Sequence, residues 1–89
     1  MQHINIIIRG KVQGVFFRHG TKAVADQLGV RGFVRNEEDG TVYIEAEADE
    51  WILDNFLDWC NEGPDRAEVE AVEKMEAEWQ GFNNFIIKK

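Results

Sequence analysis

Apolar and polar residues follow two different periods along the first third of the chain. Residues 4–12 alternate at every second position, a pattern typical of a strand with one buried face. Over residues 17–28 the apolar positions recur every three or four residues, which predicts a helix that Gly29 ends. Gly20 lies inside this helix, so we expect either a later helix start or a close backbone contact there.

A hairpin is predicted next. Residues 30–35 alternate and predict a second strand. The stretch 36–40 ends in Asp-Gly, a pair that is typical of a tight turn between two strands. Residues 41–48 alternate again and predict the third strand, which the short turn places beside the second.

The second half of the chain repeats the change of period. Asp49 is a good N-cap for a second helix, whose apolar stripe lies within residues 52–60 and which Gly63-Pro64 ends. Residues 67–79 alternate and predict a fourth strand, and residues 85–87 predict a short final one. The apolar residues expected on one face of the fourth strand are Ala67, Val69, Ala71, Met75, Ala77 and Trp79.

The order of these elements is β-α-β-β-α-β, followed by a terminal strand. This order is typical of the α+β, ferredoxin-like βαββαβ sandwich, in which two helices cover one face of a mostly antiparallel sheet. We predict this fold with a short extra C-terminal strand. A chain of 89 residues is long enough for one domain and not for two, so we expect one domain over residues 1–89. The architecture hosts many activities and therefore predicts no function by itself.

The net charge of −7 is unevenly distributed. Residues 1–36 hold six basic side chains and one acidic one, whereas residues 37–89 hold four basic and sixteen acidic ones. A local positive field in an otherwise acidic chain suits a small anion, and it suits the long polyanion of a nucleic acid poorly. Arg31-Gly32-Phe33 begins like an RNA-recognition signature, but the match fails at the next two residues.

Cysteine use and the length of the apolar runs exclude several other classes of protein. Cys60 is the only cysteine, so the chain has no internal disulfide and no Cys-rich zinc site, and we expect a small buried filler. The apolar run at residues 6–8 is too short for a signal segment or a membrane span. We expect a cytoplasmic monomer with no membrane and no nucleic-acid partner. His3, on the first strand, is expected at the surface.

The stretch GKVQGVFFRHG, residues 10–20, contains more special residues than a strand-to-helix connection needs. Gly14 permits a tight turn, and the first N–H groups of the following helix form a ready anion site. Arg18 in the first helical turn could close over an anion with its planar fork, while Phe16 and Phe17 would hold the loop. The alternative is an ordinary tight turn with a solvated arginine.

This stretch also resembles a known signature. Gly10-Lys11-Val12-Gln13-Gly14-Val15-Phe16-Phe17-Arg18 is similar to the acylphosphatase pattern Gly-x-Val-Gln-Gly-Val-x-Phe-Arg. The resemblance continues in register at Thr21, Ala25, Leu28-Gly29, Gly32-Phe33-Val34-x-Asn36, Asp39-Gly40-x-Val42, Trp59, Gly63-Pro64, Ala67-x-Val69 and Phe85-x-Ile87. One departure is Phe33, which stands where the family often has Trp and changes the packing near the site rather than its chemistry.

The resemblance implies an enzyme that hydrolyses acyl phosphates to a carboxylate and phosphate, with no metal and no cofactor. Arg18 would hold the phosphate, and the backbone N–H groups of Gly14, Val15, Phe16, Phe17 and Arg18 would cradle its oxygens. Asn36 would orient the attacking water, and Thr21 would support the loop or Asn36. The partners would be a small acyl phosphate and inorganic phosphate, the latter as product and inhibitor.

Two other interpretations stay open at this point. A module of the same fold could bind a phosphate-bearing partner without turnover, although the presence of both Arg18 and Asn36 argues against a decayed enzyme. The chain could also correspond to one module of a larger protein, which its span from Met1 to Lys89 argues against unless it is a fragment. His19 adjoins the arginine, but successive helical residues point about 100° apart, so we expect it to face elsewhere.

Overall fold

The computed structural model describes all of residues 1–89 and contains two helices and five strands. In chain order they are β1 (Gln2–Lys11), α1 (Phe17–Leu28), β2 (Arg31–Asn36), β3 (Val42–Ala48), α2 (Glu50–Glu62), β4 (Glu68–Ala77) and β5 (Phe85–Ile87). This order confirms the predicted βαββαβ arrangement with a short extra C-terminal strand. Neither helix is long and apolar enough to cross a membrane.

The five strands form one sheet in the order β4-β1-β3-β2-β5. Neighbouring strands are antiparallel, except that β5 runs parallel to β2. Because β3 separates β1 from β2 and runs against both, β1 and β2 end at the same edge of the sheet. The segments that follow these two strands are therefore neighbours in space.

Alternate side chains of the strands build the core beneath the helices. Ile6 of β1 lies opposite Ile44 of β3, which in turn lies opposite Val34 of β2, so one apolar row crosses three strands. Phe17 and Phe56 bring the helices onto this row, and all five side chains are almost fully buried. Replacing a buried phenylalanine by alanine in such a core costs about 3–5 kcal/mol of stability.

The ends of the helices agree with the sequence in most respects. Gly29 and Gly63 are the C-caps of α1 and α2, and each donates its N–H to a carbonyl of the last turn. Asp49 occupies the N-cap position of α2 as predicted, but its side chain makes no capping hydrogen bond. The helix α1 begins at Phe17, so Gly20 does lie inside it. A Cβ at Gly20 would lie only 2.9 Å from Cζ2 of Trp59. The close packing of α1 on the Trp59 ring therefore explains why this position is a glycine.

The predicted apolar face of β4 is wrong over most of its length. The pairing of β4 with β1 shifts register between Arg9 and Gly10, so the faces exchange at that point. Beyond the shift, Met75 lies opposite Asn5 on the side of the sheet away from the helices and is exposed. The residues of β4 that pack against the core are Val69, as predicted, and Val72, which was expected on the other face.

His3 is buried, contrary to the expectation that it lies at the surface. The connection between β4 and β5, residues 78–84, folds back over the sheet face that the helices leave open. Its Phe82 ring stacks on the His3 ring at a centroid distance of 5.7 Å and packs edge-on against Phe33 at 5.9 Å. We refer to residues 78–84 as the covering segment.

Candidate active site

A cleft of about 220 Å³ opens where β1 and β2 end. It is lined by residues of the loop between β1 and α1, by the first turn of α1 and by the last residue of β2. These residues are Val12, Gly14, Phe16, Phe17, Arg18, His19 and Asn36. The structure therefore brings together Arg18 and Asn36, which are eighteen positions apart in the sequence.

The backbone N–H groups of the loop between β1 and α1 have no hydrogen-bond partner in the protein. Gly14 and Phe16 both have left-handed conformations, with φ of 73° and 65°. The N–H groups of residues 14–16 donate no backbone hydrogen bond, and Phe17 and Arg18 lie in the first helical turn, where N–H groups have no acceptor in the helix. Left-handed residues within such a loop form a concave nest of N–H donors that suits an anion.

Phe16 is the only residue other than glycine with a positive φ. A left-handed conformation costs a residue with a Cβ about 1–2 kcal/mol. The side chain gains little burial in return, because 68% of its surface is exposed. Of the two phenylalanines expected to shield or anchor the loop, only Phe17 has a buried side chain.

Packing behind the loop holds the cradle in place. The buried ring of Phe17 lies 5.4 Å from the ring of Trp59 on α2, which also contacts Gly20. Thr21 is buried, and its hydroxyl donates to the carbonyl oxygen of Phe17 at 2.8 Å. This bond lies within α1, from one residue to the carbonyl four residues before it, and Thr21 makes no hydrogen bond to Asn36.

Most N–H donors of the Arg18 guanidinium make no hydrogen bond within the protein. Its Nη1 donates to the carbonyl oxygen of Lys88 just after β5, at a long 3.3 Å. None of the six ion pairs of the protein includes Arg18. An unpaired guanidinium beside a nest of N–H donors can bind a phosphate through two parallel hydrogen bonds.

Asn36 presents an unsatisfied acceptor. Its side-chain oxygen Oδ1 is buried and has no hydrogen-bond partner in the protein, the only such side-chain atom in the structure. A buried amide oxygen without a partner costs about 1–3 kcal/mol unless water or a ligand satisfies it. Because Asn36 lines the cleft, the cleft is the side from which a water molecule could reach Oδ1.

Sequence reasoning assigned no role to Gln13, which joins the two halves of the site. Its side-chain Nε2 donates to the carbonyl oxygen of Glu37 at 2.8 Å and to that of Thr41 at 2.9 Å. Both carbonyls belong to the hairpin that follows Asn36. Gln13 is a defined position of the signature, but its partners are backbone atoms, so the signature does not show what it bonds.

His19 lines the cleft, contrary to the expectation that it faces elsewhere. A second, larger cleft of about 640 Å³ adjoins the first and is lined by Arg18, His19, Asn36, Ile87 and Lys89. The rings of His19 and Phe16 lie edge-on to each other at 6.3 Å. The two clefts share Arg18, His19 and Asn36 as lining residues. Two successive residues of α1, Arg18 and His19, therefore both line the open part of the site.

Other reactive groups lie away from this cleft. Cys60 is fully buried in α2, as predicted, and burial raises the pKa of its thiol far above the usual range. No group of three or more His, Cys, Asp or Glu side chains is arranged to hold a metal ion.

Comparison with known proteins points to one family. The family model for acylphosphatase matches residues 4–87. An acylphosphatase of Nocardioides sp. is 41% identical over 85 residues, which cover 96% of this chain and 86% of that protein. An acylphosphatase of Archaeoglobus fulgidus is 44% identical over 84 residues, 94% of each chain. The crystal structure of acylphosphatase from Bacillus subtilis matches with a TM-score of 0.97 and 33% identity over the full length of both chains.

Proposed function

The chain belongs to the acylphosphatase family, and we propose that it hydrolyses the carboxyl–phosphate bond of acyl phosphates without a metal ion. One observation carries this proposal beyond the family name. Arg18, whose guanidinium is in no ion pair, and Asn36, whose buried Oδ1 has no hydrogen-bond partner, line the same cleft beside the free N–H groups of the loop. The cleft thus offers donors for a phosphate and an acceptor for a water molecule.

In the proposed complex the phosphate lies in the cradle of residues 14–18. The backbone N–H groups donate to its oxygens, and Arg18 donates from its guanidinium. Phosphoryl transfer needs stabilisation of charge that is spread over the phosphoryl oxygens, and fixed donors provide it without reorganisation. The buried Phe17 ring packs on Trp59 directly after the loop, which favours donors that are already in place before the substrate arrives.

Asn36 then holds the nucleophile. Its Oδ1 accepts a hydrogen bond from a water molecule, whose oxygen attacks phosphorus while the bond between phosphorus and the acyl oxygen breaks. The electron pair of that bond leaves with the carboxylate, and the water protons remain with the new phosphate or pass to solvent. Carboxylates have a pKa of about 4 and leave unprotonated, so the reaction requires no general acid.

The remaining properties follow from this reaction. We propose that residues 1–89 act as one monomeric domain in the cytoplasm, on a small acyl phosphate, with inorganic phosphate as product and inhibitor. The cradle contacts only the phosphate group, so different acyl groups should be accepted. Light scattering of the purified protein, with and without phosphate, measures the proposed monomeric state.

The direct test is hydrolysis of benzoyl phosphate in the presence of EDTA. Wild-type protein should turn the compound over, and Arg18→Ala should lose at least about 1000-fold in kcat/KM, as expected for an arginine that stabilises phosphoryl charge. Arg31→Ala is the matched control, because Arg31 is exposed on β2 and does not line either cleft.

Two results would overturn the proposal. Loss of turnover on chelation would contradict a metal-free reaction, and full activity of Arg18→Ala would contradict the assigned phosphate site. If folded wild-type protein binds phosphate but hydrolyses no acyl phosphate, the site is a binding module of the same fold. Titration of the protein with phosphate in a calorimeter distinguishes such a binding module from a site that binds nothing.

A further inference from the structure

The side chain of Gln13 bridges two parts of the molecule that carry different functions. Gln13 is the second residue after β1 and is half-buried. Its amide nitrogen donates one hydrogen bond to the carbonyl of Glu37, at 2.8 Å, and one to the carbonyl of Thr41, at 2.9 Å. A primary amide has two N–H donors, so both are used on this one hairpin.

The two acceptor carbonyls bracket the turn that follows Asn36. The N–H of Glu37 donates to the carbonyl of Thr41 at 2.9 Å and closes the hairpin. Asn36 is the last residue of β2 and pairs with Val42 of β3. Gln13 therefore binds the hairpin at the residue next to Asn36 and at the residue next to its strand partner.

No other side chain hydrogen-bonds the loop after β1 to the hairpin after β2. Among the side-chain hydrogen bonds of the protein, only those of Gln13 connect residues 12–19 with residues 36–41. The Oδ1 of Asn36 itself has no partner, so Asn36 does not fix its own position relative to the loop. The edge of the sheet brings the two segments close, and Gln13 sets their final separation.

We propose that Gln13 is a positioning residue, which sets the distance between the water held by Asn36 and the phosphate held by the loop. The proposal rests on the proposed function, because it assumes that Asn36 holds the nucleophile. Attack requires the reacting atoms at about 3–3.5 Å, and a displacement of about 1 Å costs up to about 100-fold in rate. Gln13 acts through Asn36 and touches neither substrate nor water.

The informative variant is Gln13→Met. Methionine has a similar length and shape but donates no hydrogen bond, so it removes the bridge while filling the same space. Gln27→Met is the matched control, because Gln27 is exposed on α1 and makes no side-chain hydrogen bond. Thermal unfolding of each variant establishes that the protein compared is folded.

Three quantities are measured with benzoyl phosphate: kcat, KM and the inhibition constant of inorganic phosphate. We expect Gln13→Met to lower kcat by about 10- to 100-fold, while the inhibition constant changes by less than about 2-fold. A merely structural role, in which Gln13 holds the cradle, would instead weaken phosphate inhibition in step with the loss of kcat. That parallel loss would overturn the proposal.

A double-mutant cycle with Asn36→Ala tests the coupling. If Gln13 acts through Asn36, then Gln13→Met should cost less than about 3-fold in the residual rate of Asn36→Ala. An equal cost in both backgrounds would show that Gln13 acts independently, and would overturn the proposal while leaving the role of Asn36 intact. Full activity of Asn36→Ala would instead contradict the proposed function, and the Gln13 proposal with it.

Discussion

The ring nitrogen Nδ1 of His3 lies 2.7 Å from Oε2 of Glu47, and both side chains are buried. The second ring nitrogen, Nε2, lies 3.0 Å from Oε1 of Glu45. The Glu47 carboxylate also accepts hydrogen bonds from the backbone N–H groups of residues 80–82 in the covering segment. One buried carboxylate therefore joins β1 and β3 to the segment that leads into β5.

This arrangement predicts that Glu47 contributes to stability in a pH-dependent way. Burial alone raises the pKa of the Glu47 carboxyl, but the hydrogen bonds from His3, Gln80 and Phe82 outweigh it and lower the pKa below the usual 4.5. Because the folded pKa is the lower one, the contribution is present above the unfolded pKa and is lost as pH falls through the folded value. Glu47→Gln should lower stability at pH 7 by about 1–3 kcal/mol and make the acid side of the stability profile less steep.

Calorimetric unfolding between pH 3 and pH 7 checks this prediction. Glu73→Gln is the control, because Glu73 is exposed and pairs with Arg9 only at 3.4 Å. An exposed ion pair of this kind contributes less than about 1 kcal/mol, so the control should follow the wild-type profile. If both variants have the same profile, Glu47 has no special role in acid stability.

Gly32→Ala should destabilise the protein more than a glycine substitution at an exposed turn does. Gly32 lies within β2 with φ of 144°, and a Cβ there would overlap the carbonyl oxygen of Glu45 on β3. Two paired strands would have to separate, so we expect a loss of about 3 kcal/mol or more in urea denaturation. Gly29→Ala is the control: its φ is 82°, but its Cβ would meet nothing within 4 Å, so the cost should be about 1–2 kcal/mol.

His19→Ala should alter substrate affinity and leave phosphate affinity nearly unchanged. His19 lines both the cradle cleft and the larger cleft beside it, and we expect the larger cleft to hold the acyl group when the phosphate is bound. Loss of one aromatic contact of this kind corresponds to about 0.5–1.5 kcal/mol. We expect the KM for benzoyl phosphate to rise by about 2- to 10-fold, with the inhibition constant of phosphate within about 2-fold. A change in phosphate inhibition of the same size would place His19 at the cradle instead.

The sequence was sufficient for the order of elements because each carries its own period. The alternation over residues 4–12 and the helical period over residues 17–28 are local properties, and both survive in the structure. The inward face of β4 was mispredicted because the register shift opposite Gly10 depends on the partner strand. The burial of His3 was missed because it depends on the covering segment, which has no periodic pattern of its own.

The site residues that could be predicted from the sequence are those whose side-chain type indicates a chemical role. Arg18 and Asn36 are found in one cleft, as the resemblance implied, because β1 and β2 end at the same edge of the sheet. The left-handed Phe16 was not predictable, since an aromatic residue gives no signal for positive φ. Gln13 was missed because its hydrogen bonds go to backbone carbonyls, which every residue has.

Asn36→Ala tests the division of labour between water and phosphate. The side-chain oxygen of Asn36 is an unpartnered acceptor, whereas the loop and Arg18 contribute donors, and a phosphate at neutral pH requires donors. We therefore expect kcat to fall by about 100- to 1000-fold with the inhibition constant of phosphate within about 2-fold. Asn83→Ala, in the exposed covering segment, should behave like wild type.

Asn36→Asp, unlike Asn36→Ala, should weaken phosphate binding. A carboxylate at this position would accept a hydrogen bond from water as the amide does, but it would place a negative charge beside the bound phosphate. This variant should lose phosphate inhibition as well as turnover, most strongly at low ionic strength, where the repulsion is least screened. If Asn36→Ala already loses phosphate inhibition, the Asn36 side chain is a phosphate ligand, donating through its amide nitrogen, and the water must be held elsewhere.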